Sequence, residues 1–477
     1  MKKKIAALLI VLTLFSTAVF AEFAPQIDVQ DGEAMYEFYN ILLRMTERNH
    51  RFGATRQQML ESAVAEVLKE HPELFDEFAK GAYSALDENS RYLNLEEFNG
   101  AAETISGEFE GIGINVSEYN GITMVGAPII GSPAYLAGIM AGDVIVSVDG
   151  TDIYGFVLDQ TVKLIRGAVG TYVKLGIERN NTFLEIEVKR DVIKINPVTY
   201  KVLDDINAAY VSISTFNANT GICLEEVLQE IHSLNIDKVI LDLRYNLGGL
   251  LNEAVYVASY FVPDNTLVVT EDYKDEKKAL SHYSMPTGMK FNAVVLVNEY
   301  SASASEIVAA AIKENNTGVL VGTTTFGKGT VQQSIYLKNG GALWLTVAKY
   351  LTPNGSYIHE VGIEPDYYVE NKKVVLDTSE FQPIQGARAL KQGDSGNDVL
   401  AIEQRLSAMG YPIENADEFY DIHTEIAVTA FQSGNGLFPY GVADITTQIK
   451  IMDVAFEAEV MQDNQLEKAK EVIDGNF

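Results

Sequence analysis

The chain carries, at residues 294–307, the segment Val294-Val-Leu-Val-Asn-Glu-Tyr-Ser-Ala-Ser-Ala-Ser-Glu-Ile307, an apolar strand that breaks into small residues and then opens a helix. Small side chains let the backbone turn sharply, and a helix N-terminus offers free N–H groups where an oxyanion would develop. Ser301, Ser303 and Ser305 compete for the role of a nucleophile. A serine that merely caps the helix, with Glu306 in its first turn, would look much the same.

A serine hydroxyl needs a base to remove its proton. None of the six histidines lies in a nucleophile-like context, although His282 or His359 approaching in space leaves a Ser-His-Asp triad open. Lys328 is the better candidate, in Thr323-Thr-Thr-Phe-Gly-Lys-Gly-Thr-Val-Gln332. Its flanking glycines allow close approach and burial, which lowers the pKa of a lysine so that the neutral amine accepts a proton. The alternative is a surface lysine in a glycine turn.

Gln332 shares one strand face with Lys328, because side chains repeat every two residues along an extended chain. Its uncharged carbonyl would orient the amine, whereas a carboxylate there would raise the pKa of the lysine. A phosphate-binding loop is disfavoured, because the lysine segment leads into a strand and not into a helix.

Around these segments, residues 197–375 alternate buried strands with helices, which predicts an α/β layer architecture with right-handed crossovers. The expected strands are 208–214, 238–243, 293–297 and 319–322, and the expected helices are 222–234, 250–261 and 303–314. A β-rich end follows at 329–337 and 342–350.

These motifs resemble those of the C-terminal processing peptidases, also called tail-specific proteases. The resemblance is carried by Ser301-Ala-Ser-Ala-Ser-Glu-Ile307, Phe326-Gly-Lys-Gly-Thr-Val-Gln332, Leu241-Asp-Leu-Arg-Tyr-Asn-Leu-Gly-Gly-Leu250 and Leu345-Thr-Val-Ala-Lys-Tyr-Leu-Thr-Pro353. It implies a crotonase-like α/β serine protease core in which Ser303 is the nucleophile, Lys328 the base and Gln332 its partner. The resemblance implies no metal and no organic cofactor.

The same resemblance implies an oxyanion hole formed by the backbone N–H groups of Gly248 and Ala304. Both are small residues beside strand ends, where the loops of an α/β sheet gather into sites. The chain departs from many relatives at Tyr245-Asn246-Leu247, where Asn-Asn-Pro or Asn-Asn-Gly is usual. We expect this departure to alter the stiffness of the loop and the substrate preference.

Residues 107–190 contain short β-rich runs divided by Gly, Asn and Pro, and two helices, which predicts a compact domain. They resemble a PDZ domain, with Gly111-Ile112-Gly113-Ile114 as the carboxylate-binding loop and with Gly131-Ser-Pro-Ala134 and Ala141-Gly-Asp143 in the expected places. In such a domain a peptide adds a strand to the sheet while main-chain N–H groups hold its carboxylate. Arg166 either couples this domain to the protease core, as in some relatives, or is a surface arginine.

Residues 387–455 look like a small α-helical module and resemble a peptidoglycan-binding module, through Leu390 to Val399, Phe431-Gln432 and Gly441-Val442. Glu403 stands where glutamine is usual. The fold carries over more directly than the ligand. The tail, residues 463–477, is expected to be solvated helix or coil.

Residues 1–21 place three lysines before an apolar run that ends in Val19-Phe20-Ala21, which predicts a signal peptide and export. The alternative is a retained membrane anchor, because the run is near the lower limit of about 17–25 residues for a spanning helix. Residues 27–100 carry apolar residues at helical spacing and predict an α-helical arm. The arm either caps the next domain or buries its stripe in a homodimer.

The 477-residue chain is 47% hydrophobic and 21% charged, as ordinary globular proteins are, and its length predicts two to four domains at about 100–200 residues each. It has 36 Lys and Arg against 66 Asp and Glu, a net charge of −30, which disfavours nucleic acid as a partner. The single cysteine, Cys223, excludes an intramolecular disulfide and multi-cysteine zinc sites.

The combined prediction is a multidomain α/β protein that acts as an exported serine endopeptidase. It would hold the C-terminal tails of protein substrates in the PDZ domain and cleave peptide bonds through an acyl-enzyme. The alternative is a catalytically silent adaptor in the cell envelope that binds peptide tails and peptidoglycan. A peptidoglycan hydrolase ranks last, because the sequence has neither a metal-ligand cluster nor a persuasive carboxylate pair.

Overall fold

The computed structural model describes residues 31–49, 51, 53, 55–119, 122–179, 182–274, 279–413 and 415–475. The chain divides into two compact units, residues 1–86 and 87–477. The predicted signal segment, residues 1–21, lies outside the described residues. Across the described parts of the chain, no helix combines the length and the apolar character that crossing a bilayer requires.

The first unit is built from helices. They are α1 (Gly32–Asn49), α2 (Arg56–Glu70), a 3-10 turn (Pro72–Leu74) and α3 (Phe75–Tyr83). Helix α2 begins at a capping box, in which Thr55 Oγ1 accepts from the Gln58 N–H and Gln58 Oε1 accepts from the Thr55 N–H. Large apolar side chains remain more than one-third exposed on these helices: Met35, Phe38, Leu42, Met45, Leu60, Val64 and Val67. Burial of this stripe in a homodimer stays a prediction.

The predicted end of the helical arm at residue 100 is wrong. Residues 87–100 belong to the second unit, where Arg91–Leu93 form strand β1 and helix α4 (Leu95–Ser106) follows. Strand β1 pairs antiparallel with a strand near the end of the α/β core, with Arg91 opposite Trp344. Three residues are too few for a strand period to emerge from the sequence, so this pairing could not be predicted.

The β-rich domain contains one six-stranded antiparallel sheet in the order β3-β4-β5-β7-β8, with β6 beside β5, and a separate β2-β9 ribbon. Its strands are β2 (Glu108–Gly111), β3 (Ile114–Tyr119), β4 (Ile122–Pro128), β5 (Val144–Val148), β6 (Thr151–Asp152), β7 (Tyr172–Arg179), β8 (Thr182–Lys189) and β9 (Asp191–Lys194). Helices α5 (Pro133–Leu136) and α6 (Leu158–Ile165) complete it. Strand β3 is an edge strand, and Ile145, Leu175 and Ile177 lie in a core of their own.

The α/β core is organised around a six-stranded sheet in the order β10-β11-β12-β15-β16-β19, in which only β10 runs antiparallel to its neighbour. Its strands are β10 (Val198–Leu203), β11 (Ala208–Ile213), β12 (Lys238–Asp242), β15 (Asn292–Val297), β16 (Gly318–Gly322) and β19 (Tyr367–Tyr368). Helices α7 (Thr220–Ser233), α8 (Leu251–Ser259) and α9 (Ala304–Glu314) pack against one face. The central strands are buried and mostly apolar because both faces are covered.

A second sheet flanks the first, in the order β1-β18-β13-β14 with β17 beside β18, and all its pairs are antiparallel. Its further strands are β13 (Leu267–Tyr273), β14 (Leu280–Tyr283), β17 (Thr330–Tyr336) and β18 (Ala342–Leu351). Strands β17 and β18 lie in the segments 329–337 and 342–350 that were expected to be β-rich, and they pair with each other as an antiparallel hairpin. This sheet brings β1 beside the strand hairpin that follows Lys328.

The expectation of a solvated tail from Asp463 is wrong. Helix α13 (Asn464–Asp474) covers the other face of the first sheet. Its buried side chains Ala469, Val472 and Ile473 pack in one cluster with the sheet residues Ile240, Val294, Leu296 and Val321. A parallel sheet that is apolar on both faces needs this cover, since otherwise the outer face would expose a large apolar patch.

The small C-terminal module consists of α10 (Asn397–Ala408), α11 (Ile422–Gly434) and α12 (Ile445–Glu457). Its core contains Leu390, Val399, Ile402, Leu406, Tyr420, Val428, Phe431 and Ile451. Strands β20 (Lys372–Val375) and β21 (Glu459–Gln462) flank the module and pair antiparallel. The module is therefore an insertion, after which the chain returns to the α/β core.

Within this module Glu403 has a structural role, and helix α11 contacts a neighbouring domain. Glu403 is buried and accepts hydrogen bonds from the Asp417 N–H at 2.7 Å and from the Thr424 hydroxyl, so it is a structural residue. Helix α11 also touches the β-rich domain, because a Cβ built on Gly142 would lie 2.6 Å from Ile426 Cδ1.

Candidate active site

Ser303 lies at the turn between β15 and α9, one residue before the helix begins. Its φ of 55° and ψ of −114° fall in a region that residues with side chains avoid. Backbone strain of this kind costs on the order of 1–3 kcal/mol and clusters at functional sites, where the surroundings enforce it. Residues 298–303 are called the serine turn below.

The hydroxyl groups of the two neighbouring serines are hydrogen-bonded to main-chain carbonyls of the segment that follows β12. Ser301 Oγ donates to the Leu243 carbonyl at 2.8 Å, and Ser305 Oγ donates to the Asn246 carbonyl at 2.9 Å. Both serines are fully buried. Of the three serines that the sequence left in competition, Ser303 is the one with the strained backbone.

Glu306 joins the serine turn to residues 325–329, called the lysine loop. Its Oε2 accepts from the N–H groups of Ser303 and Lys328, both at 2.8 Å, and its Oε1 accepts from the Gly327 N–H at 2.7 Å and the Thr325 hydroxyl at 2.6 Å. Burial raises the pKa of Glu306, while these hydrogen bonds act in the opposite direction. The sequence predicted only that Glu306 lies in the first turn of the helix. Its contacts with the lysine loop could not be predicted, because that loop is about 20 residues further along the chain.

Lys328 lies two residues before β17, between two buried glycines. Burial lowers the pKa of its amine and the Arg91 guanidinium lowers it further, whereas Glu88 and Glu306 act in the opposite direction. The net direction favours the neutral amine that a general base requires. Arg91 belongs to β1, so the segment that was assigned to the helical arm supplies part of the electrostatic environment of the lysine.

Residues 358–363, called the bracing loop, are hydrogen-bonded to the lysine loop. The Glu360 N–H donates to the Gly327 carbonyl at 2.9 Å. On the other side of the lysine loop, the Phe326 N–H donates to the Ser301 carbonyl at 3.0 Å. Main-chain hydrogen bonds thus fix the lysine loop relative to the serine turn.

Gln332 pairs with Thr346 across β17 and β18. Its Nε2 donates to Thr330 Oγ1 at 2.9 Å and to Thr346 Oγ1 at 3.4 Å. Thr346 Oγ1 donates onward to Asp87 Oδ1 at 2.7 Å. This network orients the amide of Gln332, and its Asp87 and Thr346 members were missed because they are distant in sequence.

The two groups predicted to form the oxyanion hole lie side by side. A Cβ built on Gly248 would lie 2.7 Å from the Ala302 carbonyl oxygen, 2.8 Å from Ser303 Cβ and 2.9 Å from the Ala304 nitrogen, so only glycine fits there. The Ala304 N–H occupies the first position of α9, where the helix provides no acceptor. The Gly248 N–H, in contrast, donates to Asn246 Oδ1 at 2.9 Å. An oxyanion would therefore have to displace Asn246 to use both donors.

Residues 244–249, called the glycine loop, are fixed by contacts of the Asn246 and Arg244 side chains. Asn246 is fully buried, and its Nδ2 donates to the Ile213 carbonyl at 2.7 Å. Arg244 forms ion pairs with Asp242 at 2.7 Å and with Asp463 at 2.6 Å. Asp463 immediately precedes α13. The segment that was expected to be a solvated tail thus anchors the glycine loop.

Neither histidine that the sequence left open as a base is hydrogen-bonded to Ser303 in the described part of the chain. His282 Nε2 lies 2.7 Å from Glu271 Oε1 in the second sheet. His359 belongs to the bracing loop, where its backbone lies against Gly329. Among the described residues there is also no group of three or more His, Cys, Asp or Glu side chains able to hold a metal ion.

The predicted carboxylate-binding loop, Gly111 to Ile114, leads from β2 into the edge strand β3. Gly113 has φ 80°, and its carbonyl accepts from Ser132 Oγ at 3.1 Å. The Ile112 side chain lies in the domain core, so only its main chain remains for a ligand. Among the described strands only β4 pairs with β3, so an extended peptide could add to its other side.

Arg166 ends helix α6 and reaches helix α4. Its Nη1 donates to both carboxylate oxygens of Glu103, at 2.8 and 3.0 Å, and its guanidinium lies over the Phe109 ring at 5.4 Å. Helix α4 is also hydrogen-bonded to the α/β core, where the Ala218 N–H donates to the Ile105 carbonyl at 3.0 Å. Arg166 contacts this connecting helix, and a coupling role stays a prediction.

Comparison with known proteins gives three matched segments. Residues 207–369 match peptidase family S41, residues 124–179 match a PDZ domain, and residues 395–451 match a putative peptidoglycan binding domain. A probable CtpA-like serine protease of Staphylococcus aureus (strain N315) is 35% identical over 403 residues, which cover 82% of this chain and 79% of that protein. The carboxy-terminal processing protease CtpA of Bacillus subtilis (strain 168) is 34% identical over 402 residues, which cover 84% of this chain and 85% of that protein.

The chain belongs to the carboxy-terminal processing protease family. It is accordingly a serine-type peptidase with a PDZ domain and a peptidoglycan-binding-like module, as the sequence predicted. Among solved structures, the photosystem II D1 C-terminal processing protease is 27% identical to this peptidase and covers 72% of this chain and 95% of its own, with a TM-score of 0.39.

Proposed function

We propose that this peptidase is an exported serine endopeptidase that receives the C-terminal tails of protein substrates in its PDZ domain and cleaves peptide bonds with Ser303, Lys328 and Gln332. The observation that carries the proposal is the buried Glu306 carboxylate, which holds the main chain of both Ser303 and Lys328. A serine with a strained backbone and a lysine with a lowered pKa are thereby fixed to one shared support.

In the acylation step, the neutral Lys328 amine takes the proton of Ser303 Oγ as this oxygen attacks the carbonyl carbon of the scissile bond. The negative charge on the carbonyl oxygen is stabilised by the Ala304 N–H and by the Gly248 N–H. When the C–N bond breaks, the lysine ammonium gives its proton to the leaving amine. The products are a free amine and an ester of Ser303.

Deacylation repeats the proton transfers with water. Lys328 takes a proton from the attacking water, the ester carbon passes through a second tetrahedral state, and the lysine returns the proton to Ser303 Oγ. A carboxylic acid is released, and both residues regain their starting states. Gln332 keeps the amine directed toward the serine without placing a carboxylate beside it, which would raise the pKa of the lysine.

The Gly248 hydrogen bond to Asn246 supports a resting arrangement in which one oxyanion donor is occupied. Substrate binding would exchange this intramolecular acceptor for the developing oxyanion. The Nδ2 group of Asn246 donates to the Ile213 carbonyl. The hydrogen bond that would break on substrate binding is the one between the Gly248 N–H and Asn246 Oδ1.

Tail recognition is assigned to the edge strand β3 and to the main-chain N–H groups of Gly111 to Ile114. An open strand edge and a glycine-containing turn support binding of an extended peptide with a free carboxylate. Export rests on the lysine-flanked apolar run of residues 1–21. A cell-envelope location also agrees with the peptidoglycan-binding-like module.

The test is cleavage of an unfolded protein such as casein by the chain from residue 22 onward, beside its Ser303→Ala and Lys328→Ala variants. Exposed Ser356→Ala and Lys338→Ala are the matched controls. We expect both site variants to lose at least about 10³-fold in kcat and both controls to retain activity. Equal cleavage by all the proteins would show that the assigned nucleophile is wrong. Absence of cleavage by the wild type, with peptide binding retained, would favour the adaptor.

A further inference from the structure

Four large apolar side chains are exposed on the loops that surround Ser303. Tyr245, Leu247, Tyr300 and Phe326 are 68%, 69%, 49% and 54% exposed. Single exposed apolar residues are ordinary, but these four come from the glycine loop, the serine turn and the lysine loop, which main-chain hydrogen bonds join. Each of the three loops of the proposed site therefore presents at least one large side chain to solvent.

Two of these side chains form an ordered pair. The Tyr245 and Tyr300 rings are stacked, with their centroids 5.5 Å apart and their planes 20° from parallel. The N–H groups of both residues donate to the same acceptor, Asn298 Oδ1, at 3.0 and 3.2 Å. Asn298 is 3% exposed, so a buried amide holds the backbone of both tyrosines. The pair is built into the site and is not a chance surface contact.

The backbone of Tyr245 is strained. Its φ is 61°, which glycine and asparagine adopt far more readily than tyrosine does. The ring that this strained residue carries is mostly exposed and contacts the Tyr300 ring, which is exposed as well, so burial in the core does not account for its presence. Strain combined with exposure indicates that the ring acts on something outside the fold.

The position of the pair limits what it can contact. Tyr300 is three residues before Ser303, and Tyr245 is three residues before Gly248. Three residues span at most about 10 Å, so both rings lie within reach of a polypeptide whose scissile carbonyl is at the serine. A bound peptide advances about 3.3 Å per residue, which places its side chains within two or three residues of the scissile bond beside the pair.

We propose that Tyr245 and Tyr300 form a stacking subsite that selects an aromatic side chain of the substrate near the scissile bond. This proposal rests on the proposed function of Ser303. An aromatic side chain would extend the existing stack, whereas alanine would leave the exposed faces of the two rings in water. Aromatic pairing beyond simple burial corresponds to a preference of about 2- to 12-fold.

The test uses two peptides that share one C-terminal tail and differ only in Phe or Ala near the cleaved bond. The variants are Tyr245→Asn, which relieves the backbone strain and so keeps the fold, and Tyr300→Ala. Tyr283→Ala is the control, because Tyr283 is similarly exposed on β14. We expect the Phe-to-Ala ratio of kcat/KM to fall about 2- to 12-fold in both site variants and to stay constant in the control.

An unchanged ratio in both site variants would overturn the proposal, and so would an equal loss on the two peptides, which would indicate only a structural role for the loops. Higher cleavage at an unchanged ratio would show that the tyrosines cover the site instead of selecting the substrate side chain.

Binding of the same two peptides to the Ser303→Ala variant tests the subsite independently of turnover. The shared tail makes the PDZ contribution equal, so the difference in Kd reports the stacking subsite. Cleavage that survives Ser303→Ala would instead refute the proposed function.

Discussion

The Gly248→Ala substitution inserts a methyl group where the structure leaves no room. The new Cβ would lie 2.7 Å from the Ala302 carbonyl oxygen and 2.9 Å from the Ala304 nitrogen, whereas ordinary contacts are 3.4–4 Å. These neighbours are main-chain atoms of a turn that buried hydrogen bonds hold on several sides. The glycine loop would therefore have to withdraw from the serine turn by about 0.5–0.7 Å.

The expected effect separates into a stability part and a catalytic part. A positive φ costs an alanine about 1–2 kcal/mol of folding free energy, and Gly248 has φ 99°. Oxyanion donors work within about 2.7–3.1 Å of the charged oxygen, so the displacement takes one donor out of range. Loss of one donor lowers kcat by about 10²–10³-fold, or about 2.7–4 kcal/mol of barrier.

The matched control is Gly355→Ala, since Gly355 has φ 80° and no atoms within 4 Å of an added Cβ. Both variants should lose about 1–2 kcal/mol from the backbone conformation, and Gly248→Ala should lose about 1–3 kcal/mol more from the clash, as urea unfolding followed by circular dichroism would measure. Only Gly248→Ala should lose turnover of a fluorogenic peptide. If Gly248→Ala is folded and its kcat stays within about threefold of the wild type, the placement of the oxyanion hole is wrong.

Three further substitutions test other parts of the site. Arg91→Gln removes a positive charge beside Lys328 and so raises the pKa of that amine, and the rising limb of kcat/KM should move to higher pH; a limb that does not move contradicts this. Glu306→Gln supplies one acceptor oxygen where four donors converge, and urea unfolding should show a loss of about 2–5 kcal/mol, against no loss if the carboxylate is dispensable. Asp463→Ala leaves Arg244 with one carboxylate partner and removes the N-cap of α13, and a loss of about 1–2 kcal/mol is expected by the same method, with exposed Asp474→Ala as the control.

The sequence predicted the parts of the site that depend on local structure. A buried strand followed by small residues and a helix predicts a sharp turn, and Ser303 lies at that turn, although the strain of its backbone was not predicted. Glycines on both sides of Lys328 specify close approach, and the lysine is half buried beside the bracing loop. In both cases the information lies within about ten consecutive residues, which is the range over which turn and helix-start preferences act.

The parts that the sequence missed depend on pairing between distant segments. Arg91 and Asp87 reach the site because β1 pairs with β18, more than 200 residues further along the chain. Helical periodicity gives no reason to end the arm before residue 87, and a three-residue strand leaves no pattern of its own. Glu306 was visible as a helix-start residue, but its bonds to the lysine loop required the folded arrangement of both segments.

The α/β core of this chain is not one continuous segment, because helix α13 belongs to it although the C-terminal module lies between. Residues 376–458 lie between the paired strands β20 and β21, so the C-terminal module interrupts the α/β core instead of following it. Helix α13 then covers one face of the first sheet, and Asp463 binds Arg244 at the start of the glycine loop. A cut after residue 375 would remove the module together with that cover and that ion pair, whereas excision between β20 and β21 would remove the module alone. A loss of activity on simple truncation therefore says nothing about peptidoglycan binding, because the same cut uncovers the sheet on which Ser303 is positioned.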